Sequence, residues 1–272
     1  MRKKFKVTLV VFLVVVLGCF SQVFAASNQN TKLKKNIEAR KSVRLLDRTN
    51  DSGVDQYTKL LMHMDDNNFK DECGNNPTNN NVSLDTTNKK IGSGSASFNG
   101  TDSYLTIPAS KDWDLGSEDF TLSCWIKLED ENASSSTPKE IVECGGVYNV
   151  SNASWIFTNS GKGVVTWYCS TGTGLGTVMF SKNFPAVNDK LFHHYEVDRQ
   201  GSNFYFFLDG NLVSTENNSS PIKSDSQSIL IGHSYFYFEG NIDELRLSVG
   251  IARHTSDFTP DGIAAEAISL NK

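Results

Sequence analysis

Residues 119–128 read DFTLSCWIKL. In a pleated strand successive side chains alternate between faces, so Phe120, Leu122, Cys124 and Ile126 share one face while Thr121, Ser123, Trp125 and Lys127 share the other. The first set is apolar throughout and belongs in a core. No helical period of 3.6 fits the stretch, whereas a period of two fits all of it.

The same signature recurs on both sides. SASFNG, SYLTIP, KEIVEC, SWIFT, GVVTWYC, GTVMFS, HHYEVDR, NFYFFLDG, SILIGHS and IDELRLS are short runs of β-branched and aromatic residues, each bounded by Gly, Asn, Asp or Ser. NFYFF and NLVST meet through Leu208-Asp209-Gly210-Asn211, and Asp-Gly is a favoured pair for a type I′ hairpin turn. About a dozen such strands over some two hundred residues predict an all-β fold, a single two-sheet antiparallel jelly-roll sandwich. Thirteen of the chain's seventeen phenylalanines lie between residues 57 and 260 and supply its interior, each contributing on the order of 1.5–3 kcal/mol when buried.

The chain opens on MRKKFK and then VTLVVFLVVVL, followed by VFAAS. A basic start, a short apolar run and small residues at −3 and −1 predict a signal peptide over residues 1–25, cleaved after Ala25. The apolar run is shorter than the roughly 18 residues of a membrane helix, and no later stretch reaches that length. The alternative reading takes Val16-Leu17-Gly18-Cys19 as a lipobox with a lipid anchor at Cys19. Either reading predicts a secreted or cell-surface protein.

Residues 26–55 are polar and carry seven Lys or Arg against four acids, a flexible basic linker. Residues 56–260 form the predicted domain and 261–272 a tail. Loss of residues 1–25 removes four cations and no acid, so the formal charge moves from −5 to −9. An acidic domain is repelled by phosphate backbones, which excludes nucleic acid as the expected partner. Beyond Cys19 the cysteines are Cys73, Cys124, Cys144 and Cys169. None has C-x-x-C spacing, and an exported protein can hold them as disulfides in any of three pairings or as buried thiols.

The succession LLMHMD, FKDECGN, GSASFNGTDSYLTIP, DLGSEDFTLSCWIKL, HHYEVDRQGSNFYFFLDGNLV, ILIGHS and FEGNIDELRLSVGIARHTSDFTP resembles the concanavalin A-like, laminin-G/pentraxin-type jelly roll of bacterial secreted and phage proteins. The closing motif, with Gly240, Ile242, Asp243, Glu244, Arg246 and residues 251–253, is the most specific part. The resemblance implies the sandwich fold; members bind glycans, proteins or peptides, and some hydrolyse polysaccharides. This chain departs from the usual pattern at Cys73, Cys124 and Leu191-Phe192, and at Glu196 and Asp198.

Glu196 and Asp198 share a strand face and raise a glycosidase reading, since such enzymes hold two carboxylates across the sugar. The third position of an E-x-D-x-E ladder is Gln200 here, which cannot act as acid/base. The pair is therefore expected on a charged solvent face beside His194. The five histidines, 63, 193, 194, 233 and 254, form no HExxH or HxH pattern, and adjacent His193 and His194 point to opposite faces.

Binding has more material. Tyr235, Tyr237, Trp125, Trp167 and Tyr168 are candidates for stacking on sugar rings, with loop-borne Tyr235 and Tyr237 expected to be exposed. The resemblance also implies a possible calcium ion at one rim, for which Asp65, Asp71 and Asp243 are the oxygen donors. The expected function is a non-catalytic module recognising a glycan or another extracellular ligand. A protein-binding or structural surface component comes second and a glycoside hydrolase last.

Overall fold

The computed structural model describes residues 53–129, 138–145, 153–171, 177–187, 189–224, 226–233 and 235–262. The expected leader with its cleavage site and Cys19, the basic linker up to residue 52 and the tail from 263 lie outside them. The larger compact unit begins at Val54. Asp55 opens it by accepting from Tyr57 and Thr58 and pairing with Arg253 at 2.9 Å.

The alternating runs of the sequence are strands. In chain order they are β1 (Thr58–Met62), β2 (Thr78–Asn80), β3 (Ser83–Asp85), β4 (Ser95–Asn99), β5 (Tyr104–Ile107), β6 (Phe120–Leu128), β7 (Lys139–Cys144), β8 (Trp155–Asn159), β9 (Val165–Thr171), β10 (Thr177–Asn183), β11 (Phe192–Gln200), β12 (Asn203–Leu208), β13 (Asn211–Asn217), β14 (Ile229–Ile231) and β15 (Glu239–Val249). Among the described residues the only helical element is one 3-10 turn at Lys111–Trp113.

Two antiparallel sheets result. The first runs β13-β12-β11-β6-β15-β4-β3, with β1 also paired to β15; the second runs β10-β9-β8-β7-β14-β5-β2. Long β15 lies against β6 on one side, and on the other serves β4 through Glu239–Ile242 and β1 through Leu245–Ser248. A bulge between Asp243 and Arg246 separates those two stretches, with Glu244 at φ 50°. The β12–β13 turn has Asp209 at φ 51° and Gly210 at φ 77°, both positive as a type I′ turn demands.

The core fills the space between the sheets. Phe120, Leu122, Cys124 and Ile126 of β6 are buried there with Tyr195 and Val197 of β11 and Phe204 and Phe206 of β12. They meet rings of the second sheet: Phe120 faces Trp167 at 6.1 Å, and Phe204 meets Phe180 edge-on at 4.9 Å. The face assignment read from DFTLSCWIKL holds, and the fold is the expected jelly-roll sandwich.

Cys73, Cys124, Cys144 and Cys169 stand as free thiols, the second of the two alternatives the sequence leaves open. Cys144 and Cys169 both pair with Trp155 of β8, from opposite sides. Two strand spacings hold them about 10 Å apart, beyond the reach of about 7 Å for a disulfide. Cys124 stands in the other sheet. Burial pushes the Cys73 thiol up to about 11 and that of Cys169 to about 12, keeping them protonated.

Candidate functional site

Two constellations stand outside the inter-sheet core. The first grows from the end of β14. Gly232 turns the chain with φ 88°, and a Cβ there would sit 2.2 Å from the Phe98 ring. Its amide donates to the Ile141 carbonyl, and its carbonyl accepts from Phe238 at 2.8 Å. The backbone between them is closed into a short loop that carries His233, Tyr235, Phe236 and Tyr237.

A buried carboxylate fixes that loop. Glu140 on β7 accepts the Phe236 amide at 2.7 Å, and burial pushes its carboxyl upward while this bond opposes the shift. His233 and Tyr237 stack at 3.9 Å, with the Tyr104 ring of β5 at 5.4 and 6.4 Å from them. Tyr235 is 56% exposed and stands edge-on to Phe236 at 4.6 Å. Tyr237 is half-buried. The loop thus offers an outer ring, Tyr235, and a stacked His233–Tyr237 pair with the Tyr104 ring tilted against it. Such surfaces match the apolar faces of pyranose rings, while hydroxyls and the imidazole supply polar edges. Tyr104 and His233 were not among the sequence-derived candidates; Tyr104 lies more than a hundred residues away, inside a run read only as a strand.

The other aromatic candidates lie elsewhere. Trp167 is fully buried between the sheets, stacked on Trp155 at 6.1 Å and 14°, so its faces are occupied. Trp125 lies on the outer face of the first sheet but is 2% exposed, covered by the Lys90 ammonium at 4.2 Å and by the edge of His194. Tyr168, half-buried on β9, is separated from β14 by β8 and β7.

The three aspartates serve backbone amides. Asp65 accepts from Ser93 and Gly94, Asp71 from Leu61 and Asn75, and Asp243 from Lys90 and Ile91. These bonds tie down the turn over residues 88–94 and the turn after β1. Calcium needs six to eight oxygens converging on one point, and these three carboxylates do not gather into one metal-holding group.

The second constellation is on β11. Glu196 and Asp198 do share a face, the outer face of the first sheet, but they are 3% and 0% exposed. The expected solvent face is a covered one: the segment after β15 folds back across it. The Arg253 and His254 amides donate to Asp198 Oδ1, to which Thr121 also donates through its hydroxyl. His254 Nδ1 lies 2.5 Å from Glu196 Oε1. Phe258 stacks on His254 at 3.5 Å and meets Phe207 edge-on at 5.3 Å. Burial pushes Glu196 up to about 7. Asp198 is raised well above the ordinary range, by burial and by the neighbouring Glu196 carboxylate. The two carboxylates contact one another, leaving no sugar-sized gap between them.

The sandwich is similar to several solved structures. The binding domain of Paraclostridial Mosquitocidal Protein 1 superposes with a TM-score of 0.57 at 12% identity, over 73% of this chain and 50% of that one. The botulinum neurotoxin serotype D binding domain gives 0.54 at 12% identity, over 75% and 49%. The binding domain of botulinum neurotoxin DC in complex with SialylT gives 0.55 at 12% identity, over 71% and 48%. The chain therefore spans about half the length of these domains, and the likeness is one of fold. No curated protein sequence matches it. Among the described residues no helix is long and apolar enough to cross a membrane. The family model of the concanavalin A-like lectin/glucanases superfamily, laminin-G type, matches residues 99–250, more than half of the chain, and the chain belongs to that superfamily.

Proposed function

We propose that the protein is an exported, non-catalytic binding module that recognises carbohydrate through the loop of residues 232–238. The observation that carries this reading is Tyr235: a largely exposed ring on the loop that also carries the stacked His233 and Tyr237, with Tyr104 tilted against them, and that is held by a buried glutamate. A preformed aromatic surface spends little free energy on ordering when a ligand docks. The fold neighbours are themselves described as binding domains, one in complex with SialylT. The leader-like start of the chain supports export.

The acid pair supports binding rather than hydrolysis. A glycosidase needs its carboxylates open to the sugar, and here Arg253, His254 and Phe258 lie over them. A second reading, an extracellular protein partner, is favoured by one observation: edge strand β13 exposes Leu212 and Val213, and an open edge accepts an added strand. A glycan array with the wild type and a Tyr235→Ala/Tyr237→Ala variant tests the first reading. Selective binding that disappears in the variant supports it. Binding unchanged in the variant, or cleavage of any bound polysaccharide, refutes it.

A further inference from the structure

Glu196, Asp198 and His254 each present one donor atom within 4.8 Å of the other two. We propose that these three residues form a binding site for a divalent transition-metal ion of the zinc type, which fastens the segment after β15 to β11.

The chemistry of the donor set is the first argument. One imidazole nitrogen and two carboxylates suit zinc, whose His and carboxylate ligands sit at about 2.0–2.2 Å. They do not suit calcium, which takes oxygen donors only. Three protein ligands also leave one tetrahedral position for water. Neighbouring donors of a tetrahedral shell stand about 3.3 Å apart, so the His254–Glu196 contact of 2.5 Å would open slightly as the ion entered.

The second argument is a buried oxygen left without a partner. Asp198 Oδ1 receives the Thr121 hydroxyl and the Arg253 and His254 amides. Its Oδ2 is buried with no hydrogen-bond partner, in a side chain that lies against the Glu196 carboxylate. Two guanidinium groups, Arg253 and Arg246, act on Glu196 from a distance, but their hydrogen bonds go elsewhere: Arg253 to Asp55 and the Ser248 hydroxyl, and Arg246 to the Thr58 hydroxyl.

The surroundings preorganise the ligands. Glu196 and Asp198 are consecutive outward positions of a strand paired on both sides. The His254 ring is held by its stack on Phe258, and the Phe258 amide donates to the Gly210 carbonyl at 2.9 Å. The His254 side chain is 33% exposed, which opens a path for a small ion but not for a sugar. The acids and the histidine are 56 to 58 residues apart in sequence, so an ion bound by all three would staple the returning segment to the sheet.

The test is zinc titration of the EDTA-treated protein against a chromophoric chelator, with thermal melts in parallel. The expected result is one equivalent of Zn2+ bound and a raised melting temperature, both lost in His254→Gln and in Glu196→Gln. His193→Gln removes a different acid-flanked histidine, set between Asp189 and Asp209, and is expected to keep both the one equivalent of bound zinc and the zinc-dependent rise in melting temperature, whatever its own baseline stability. Circular dichroism establishes that each variant is folded, and Asp198→Asn serves if one is not. A wild type that fails to compete with the chelator overturns the proposal. So does zinc binding that survives both substitutions, or a Co2+ complex whose spectrum shows thiolate ligands. Loss of this site would leave the glycan reading untouched, because the aromatic loop shares no residue with it.

Discussion

Replacing Asp243 by Asn should make the protein more stable in alkaline buffer than in acid, relative to the wild type. The carboxyl of Asp243 is 0% exposed. Its Oδ2 accepts the Lys90 and Ile91 amides at 2.8 and 3.0 Å, while Oδ1 is buried without a partner. Burial outweighs the two amide bonds and raises the group from 3.8 to about 7. Between those values the folded protein keeps a proton that the unfolded chain has released, so stability falls as pH rises and the loss is complete above 7. Each tenfold difference in proton affinity is worth about 1.4 kcal/mol, which puts the loss between pH 5 and pH 8.5 at about 3 kcal/mol. Asn keeps an oxygen for both amides and carries no charge at any pH. Urea unfolding of both proteins at pH 5 and pH 8.5 gives the double difference, in which every other titrating group cancels. The variant should gain about 3 kcal/mol on the wild type between the two conditions. A gain below about 0.5 kcal/mol would show that Asp243 ionises normally in the fold and that its orphaned oxygen is satisfied.

Three further outcomes follow from the same structure. Phe258→Ala removes a half-buried ring that stacks on His254 and abuts Phe207; about half the usual cost of a buried Phe→Ala change is about 2 kcal/mol, or a fall of about 4–8 °C in a thermal melt of a domain this size. Glu140→Ala deprives the Phe236 amide of its acceptor, at about 1–3 kcal/mol, and should weaken glycan binding about tenfold by loosening the loop; unchanged affinity in a titration would separate loop order from recognition. His193 is raised above its ordinary value by its bond to Asp209 and by Asp189, so its contribution to stability is full below the unfolded value of 6.5 and fades as pH rises through the folded one. His193→Gln should therefore cost more stability at pH 5.5 than at pH 9 in denaturant melts, and equal costs would contradict the ion pairing.

Strands were legible where a period of two ran for four residues or more, as in β6, whose Phe120, Leu122, Cys124 and Ile126 form an apolar wall against the core. β2 and β3, three residues each over TNN and SLD, are too short and polar to carry a period. Alternation also told correctly that Glu196 and Asp198 share a face, yet it cannot tell what lies on that face. The cover comes from residues 251–260, and only the three-dimensional return of the chain brings His254 to β11. Trp167 illustrates the same limit: a ring on a strand is equally at home between sheets or at a surface. The exposure of Tyr235 was legible because a loop between strands has no second sheet to cover it, whereas Tyr237, expected to be exposed as well, is half-buried against His233.

The most direct test of the carbohydrate reading is amide chemical-shift mapping of the protein titrated with the best-bound glycan from the array. The account places the largest shifts at residues 232–238 and at Tyr104, with little change along β13. Shifts concentrated on the β13 edge, or none with any glycan, would contradict it.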